Sequence, residues 1–131
     1  MRRRLMLLLS VLLTASCSSP QIDFSPSGKM LPDARIGKVY NQDIIIGANL
    51  EDDPEFLTAE NAKVDIYPAD IGLQVVSNKK RRDGLPIYNF LSISGVPTKL
   101  GLIKISISGF TYGSMYTKSG EFYKVYSLEV K

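Results

Sequence analysis

From residue 38 onward the chain is a succession of short runs of β-branched and aromatic residues, each closed by Gly, Pro, Asn or Asp. Such runs read as strands punctuated by turns. They fall at 38–46, 62–67, 73–77, 86–94, 102–108, 112–117 and 122–130. The clearest is Leu102-Ile103-Lys104-Ile105-Ser106-Ile107-Ser108. Its period of two puts the three isoleucines on a core-facing side and Lys104, Ser106 and Ser108 on the solvent side. Phe122, Tyr126, Leu128 and Val130 form a similar row in the last run, interrupted by Lys124. Only 54–62 has room for a short helical turn. Seven strands in roughly 100 residues predict an all-β chain, one β-sandwich spanning 31–131.

Turn chemistry fits this reading. Asn78-Lys79-Lys80-Arg81-Arg82-Asp83-Gly84 separates two apolar runs and ends in Asp-Gly, a favourable hairpin pair. Lys118-Ser119-Gly120 joins the last two runs in the same way. We find no internal repeat.

The sandwich must be held by packing alone, because the chain has one cysteine, Cys17, and no second thiol to pair with it. Cys17 closes a recognisable leader. Arg2, Arg3 and Arg4 precede an apolar stretch from Leu5 to Leu13, followed by the small residues Thr14, Ala15 and Ser16. This is the pattern of a secretory signal, and it is too short for a transmembrane helix, which needs about 20 apolar residues. Leu13-Thr14-Ala15-Ser16-Cys17 resembles the lipobox of bacterial lipoproteins, with Thr14 where Leu is usual. The resemblance implies cleavage after residue 16, a diacylglyceryl thioether on the Cys17 sulfur and acylation of the new amine. More than one acyl chain is enough for stable anchoring in a bilayer. It also implies the bacterial envelope. With Ser18 rather than Asp after the cysteine, the outer membrane is favoured, the domain facing the periplasm. Residues 17–30, rich in Ser, Pro and Gly and without a period, read as a flexible tether.

Inside the domain two segments carry a second resemblance. Leu31-Pro32-Asp33-Ala34-Arg35-Ile36-Gly37-Lys38-Val39-Tyr40 is similar to the opening of bacterial cadherin-like, Ig-like modules. Ile93-Ser94-Gly95-Val96-Pro97-Thr98-Lys99-Leu100-Gly101 is similar to their second signature, with Val96 where Thr is usual. The resemblance implies an Ig-like sandwich. Physically, Pro32 sets an extended entry, Gly37 relieves a tight turn before Tyr40 buries its ring, and Gly95 and Pro97 shape a corner between strands. These motifs specify a fold and no chemistry.

Composition narrows the chemistry. The chain has no histidine, and Cys17 is committed to lipid, so Ser-His, Cys-His and His- or Cys-ligated zinc sites are excluded. Carboxylate pairs alone can hydrolyse glycosides, but the acids here lie in polar, loop-like stretches. No phosphate loop joins a strand to a helix. The reading is a protein with no enzymatic activity and no cofactor. The formal charge of +3 comes from the leader. Without Arg2, Arg3 and Arg4 the chain has thirteen basic and thirteen acidic residues, which does not support nucleic-acid binding.

Three surface features remain. Glu51-Asp52-Asp53-Pro54-Glu55 supplies hard oxygen ligands for calcium but lacks the spacing of an EF-hand, and reads first as a solvated loop. Lys79, Lys80, Arg81 and Arg82 suit lipid phosphates or an acidic partner, and also serve to protect a hairpin tip from aggregation. Tyr112, Tyr116, Tyr123 and Tyr126 lie close together in sequence, as anchors for a partner or as core. The partner-binding candidates are therefore Lys79, Lys80, Arg81, Arg82, Tyr112 and Tyr116. The expected function is interaction with an envelope protein, as an adaptor or assembly subunit. The alternatives are an envelope inhibitor of the immunity type and a carbohydrate-binding module, the latter weakened by the absence of Trp.

Overall fold

The computed structural model describes residues 22–47, 57–112 and 120–131. Seven strands build it: β1 (Phe24–Ser25), β2 (Tyr40–Ile46), β3 (Ala62–Tyr67), β4 (Leu73–Lys80), β5 (Pro86–Gly95), β6 (Gly101–Thr111) and β7 (Gly120–Val130). They form a four-stranded sheet, β1-β2-β5-β4, and a three-stranded sheet, β3-β6-β7, with every neighbour antiparallel. Taken in chain order as A to G, the strands pair in the orders ABED and CFG, the same orders as in immunoglobulin constant-type sandwiches. There is no helix among the described residues; 59–61 form a turn.

The core lies between the sheets and is dominated by isoleucine. Ile44 and Ile46 of β2, Leu91 and Ile93 of β5, Ile103, Ile105 and Ile107 of β6, and Tyr126, Leu128 and Val130 of β7 are buried. Branching at Cβ suits these side chains to a pleated surface packed on one face. The expected alternation in β6 is therefore present, Lys104 pointing out. The interruption at Lys124 is resolved locally: its ammonium donates to the Ser27 carbonyl at 2.6 Å and lies 5.0 Å from the Tyr126 ring centre.

Three differences from the sequence reading matter for function. First, from Ile22 on, the stretch read as tether belongs to the sandwich. β1 pairs with the end of β2, Phe24 packs edge-on against Phe122, and Ile22 and Phe24 lie against the core. The chain then changes sheets. Residues around Met30 and Ala34 run parallel to β7, bonded through Leu31 N to Ser127 O and Ala34 N to Glu129 O, both 2.9 Å. Second, β4 runs on to Lys80, so the hairpin tip is only 81–85, closed by Arg81 N to Leu85 O at 2.8 Å. Third, Tyr112 lies just past β6, and 113–117 of the expected strand lie outside the described residues. The turn read at 118–120 is described only at Gly120, where β7 begins.

Candidate functional site

The ladders give the sandwich two poles. Phe24 pairs with Ile46, Gly47 N donates to Asp23 O at 2.7 Å, and Asn89 at this level donates to Ile46 O. β5 runs from Pro86 toward Gly95, so the β4–β5 tip stands beyond Asn89 at the pole where Ile22 begins the described chain. Phe24 against Phe122 puts Phe110, Tyr112 and Gly120 at that pole too. Cys17 lies outside the described residues, five links before Ile22.

The four basic candidates at this pole are not equivalent. Arg81 is engaged by Asp83, its Nε 3.2 Å from both carboxylate oxygens and Nη2 2.5 Å from Oδ2. That hydrogen bonding, with the Leu85 amide on Oδ1, pulls the Asp83 carboxyl down to about 2 and raises Arg81. Lys79 places its ammonium 4.0 Å from the centre of the Phe90 ring. Lys80 and Arg82 are exposed and carry no ion pair among the described residues. The tyrosines separate as well. Tyr112 is exposed and meets Phe110 edge-on at 5.2 Å. Tyr123 is exposed on the outer face of β7, whereas Tyr126 is wholly buried and donates to Pro26 O. Tyr116 and the acidic run 51–55 lie outside the described residues. The structure thus brings the basic hairpin and Tyr112 to one pole, and removes Tyr126 from any surface.

A second feature lies along one side. The outer edges of β3 and β4 carry no further strand among the described residues. Between these edges an open cleft of about 290 Å³ is lined by Val64, Ile66, Val75, Ser77 and Tyr88, with the buried Leu91 at its floor. At its upper end the β4–β5 register shifts between Ser77 and Lys79, and β5 takes another partner. Tyr88 N donates to Leu57 O at 2.7 Å, and Leu57 N donates to the buried Asn89 Oδ1 at 2.8 Å. On the outer face of the larger sheet, Asn78 Nδ2 donates to Ser92 Oγ and Ser92 Oγ to Asp43 Oδ1, both at 2.6 Å. This chain ties β4, β5 and β2 together; its hydroxyl is buried with its proton directed at Asp43.

The opposite pole is made by the turns at 34–39, 68–72 and 96–100. Backbone bonds lock them: Gly37 N to Pro97 O at 3.1 Å, Ile36 N to Lys131 O at 3.1 Å and Thr98 N to Ile71 O at 2.9 Å. Tyr40 reinforces the first turn by donating to Pro32 O at 2.8 Å. Burial, and secondarily the Asp33 charge, push its phenol up to about 12. Ile36, Val39, Val96 and Leu100 project from this frame into solvent. Sequence reasoning missed this group, since apolar residues inside turn motifs were read as fold determinants. The signal was Val96, an apolar residue where the resembling modules carry a hydroxyl.

Compared with known protein families, curated proteins and solved structures, the chain has no significant match.

Proposed function

We propose that this protein is a lipid-anchored, non-catalytic Ig-like module of the bacterial envelope that binds a protein partner along its open side. The lipobox-like sequence ending at Cys17 supports the anchor, and Ser18 supports the outer membrane with the domain in the periplasm. The observation that carries the binding role is the cleft between the edges of β3 and β4, which no strand among the described residues pairs. A strand edge presents a row of N–H and C=O groups, and an extended segment of another chain satisfies them by adding as a further strand. Half-buried Val64, Ile66 and Val75 then receive alternate side chains of that segment. Holding the module at the membrane raises its effective concentration toward partners in the same compartment.

The test is affinity capture of the full acylated chain from crosslinked native envelopes, beside Cys17→Ser and Ile66→Asp variants. The expected result is one stoichiometric protein, depleted with Cys17→Ser and lost with Ile66→Asp while the fold is retained by circular dichroism. Equal recovery by Ile66→Asp removes the cleft from the proposal. A Cys17 without acyl mass in the purified protein removes the anchor.

A further inference from the structure

We infer that the pole opposite Ile22 is a second docking surface, on which Ile36, Val39, Val96 and Leu100 enter an apolar depression of a protein partner bordered by carboxylates. This goes beyond the cleft, and it rests on the lipid-anchor reading only for the direction in which the pole faces.

The apolar side chains are exposed by construction. Val39 is 83% and Leu100 71% accessible, although the turns that hold them are locked by backbone bonds across 36–37, 97–98 and 131. Pro97, beneath them, is fully buried. A frame of this kind cannot fold its aliphatics inward, and a partner meeting it orders little additional chain. All the exposed large aliphatics among the described residues except Met30 and Leu102 sit in these turns, and Leu102 is the second residue of the adjoining β6. Clustering of that sort marks interaction sites, whereas single exposed aliphatics do not.

Charge specifies the rim. Arg35, Lys38 and Lys99 are exposed between the aliphatics and have no ion pair among the described residues. Lys131 is engaged by Asp33 at 2.9 Å, leaving Asp70 as the carboxylate of the neighbouring turn. Acidic groups on the partner complement this pattern. A second copy of the chain meeting the same surface places cations against cations, since a two-fold interface is self-matched.

Position argues against lipid. Cys17 reaches at most roughly 18 Å from Ile22 across its five links. The eleven residues of β6 separate the two poles by roughly 35 Å. The anchored pole is therefore held near the headgroups, and the aliphatic pole stands away from them.

The test places a photo-crosslinking amino acid at Val39 or Leu100 of the full chain in intact envelopes, with Tyr123, exposed on another face, as control. The expected result is one adduct at both pole positions and none at Tyr123. Its partner peptide, mapped by mass spectrometry, carries Asp or Glu beside apolar residues. Adduct yield falls roughly tenfold or more with R35E/K38E/K99E, whose solvent-exposed substitutions leave the circular dichroism spectrum unchanged. No adduct, an adduct of this chain with itself, an adduct to lipid, equal labelling at Tyr123, or indifference to charge reversal each overturns the inference. The adduct is scored whatever the acylation state of Cys17 and in the Ile66→Asp background, so failure at the pole is separable from failure of the anchor or of the cleft.

Discussion

Gly72 and Gly95 approach so closely that a Cβ on Gly95 would overlap the carbonyl oxygen of Gly72, while a Cβ on Gly72 would overlap the next carbonyl, that of Val96. The approach closes the β4–β5 ladder, where Leu73 faces Gly95 and Val96 N donates to Gly72 O at 3.1 Å. Both glycines also have positive φ, 84° and 135°. Gly95→Ala and Gly72→Ala should each cost about 2–4 kcal/mol, since backbone has to move and φ is strained. Gly84→Ala, at φ 89° but with open space around it, should cost only about 1 kcal/mol. Urea unfolding of the three variants checks the order; equal losses would mean that φ alone matters and the close approach does not.

Asn89 is buried and serves two backbone groups that no strand pairing supplies. Oδ1 accepts from Leu57 N at 2.8 Å and Nδ2 donates to Ile46 O at 3.1 Å. Asn89→Ala leaves a buried donor and a buried acceptor without these partners and should destabilise by about 2–4 kcal/mol. Detachment of Leu57 should also raise amide exchange at Tyr88, whose N–H bonds to Leu57 O. A melting temperature within a degree of wild type would show that water replaces the side chain.

Tyr40 and Tyr126 are raised to about 12, chiefly by burial. Burial disfavours the phenolate, and each hydroxyl donates to a carbonyl, of Pro32 and Pro26. The unfolded phenol titrates near 10. A folded value above the unfolded one means that the stabilisation is complete below about pH 10 and is lost as pH rises toward 12. Thermal melting between pH 8 and 12 should fall along that window. Y40F/Y126F should be less stable at pH 8 and lose less on going to pH 11; parallel curves would assign the alkaline loss to other groups.

Where a side chain's direction follows from its neighbours in sequence, the fold was legible. Ile103, Ile105 and Ile107 alternate with polar residues, and the same parity puts Tyr126 inside with Leu128 and Tyr123 outside. The basic hairpin was legible too, because Asp83-Gly84 specifies a turn. The two-residue β1 was not. Phe24 and Ser25 sit among Ser, Pro and Gly and acquire their state from Ile45 and Ile46, twenty residues away. The open cleft escaped for a related reason: Val64, Ile66 and Val75 have the pattern of core residues, and only the sheet order leaves β3 and β4 without a further strand on one side among the described residues. At the far pole, an apolar side chain in a turn points inward or outward according to which other turn it meets, and that is set by the Gly37–Pro97 bond.

The boundary of the folded unit gives the last prediction. Taken as a tether, residues 22–30 would be dispensable for folding. In the structure Ile22 and Phe24 pack on the core, Lys29 O accepts Ser127 N at 2.7 Å, and Pro26 and Ser27 accept from Tyr126 and Lys124. Removing the stretch exposes one edge of β2 and uncovers apolar surface worth about 1–2 kcal/mol for the half-buried Phe24 alone. It also leaves the buried Tyr126 hydroxyl without its acceptor, at a further cost of about 1–3 kcal/mol. A soluble form beginning at Leu31 should thus be at least about 2 kcal/mol less stable than one beginning at Ile22, and self-associate through the freed edge. Urea midpoints and sedimentation of the two forms decide it. Equal stability would return 22–30 to the tether, lengthen the reach of the anchor and loosen the orientation on which the far pole depends.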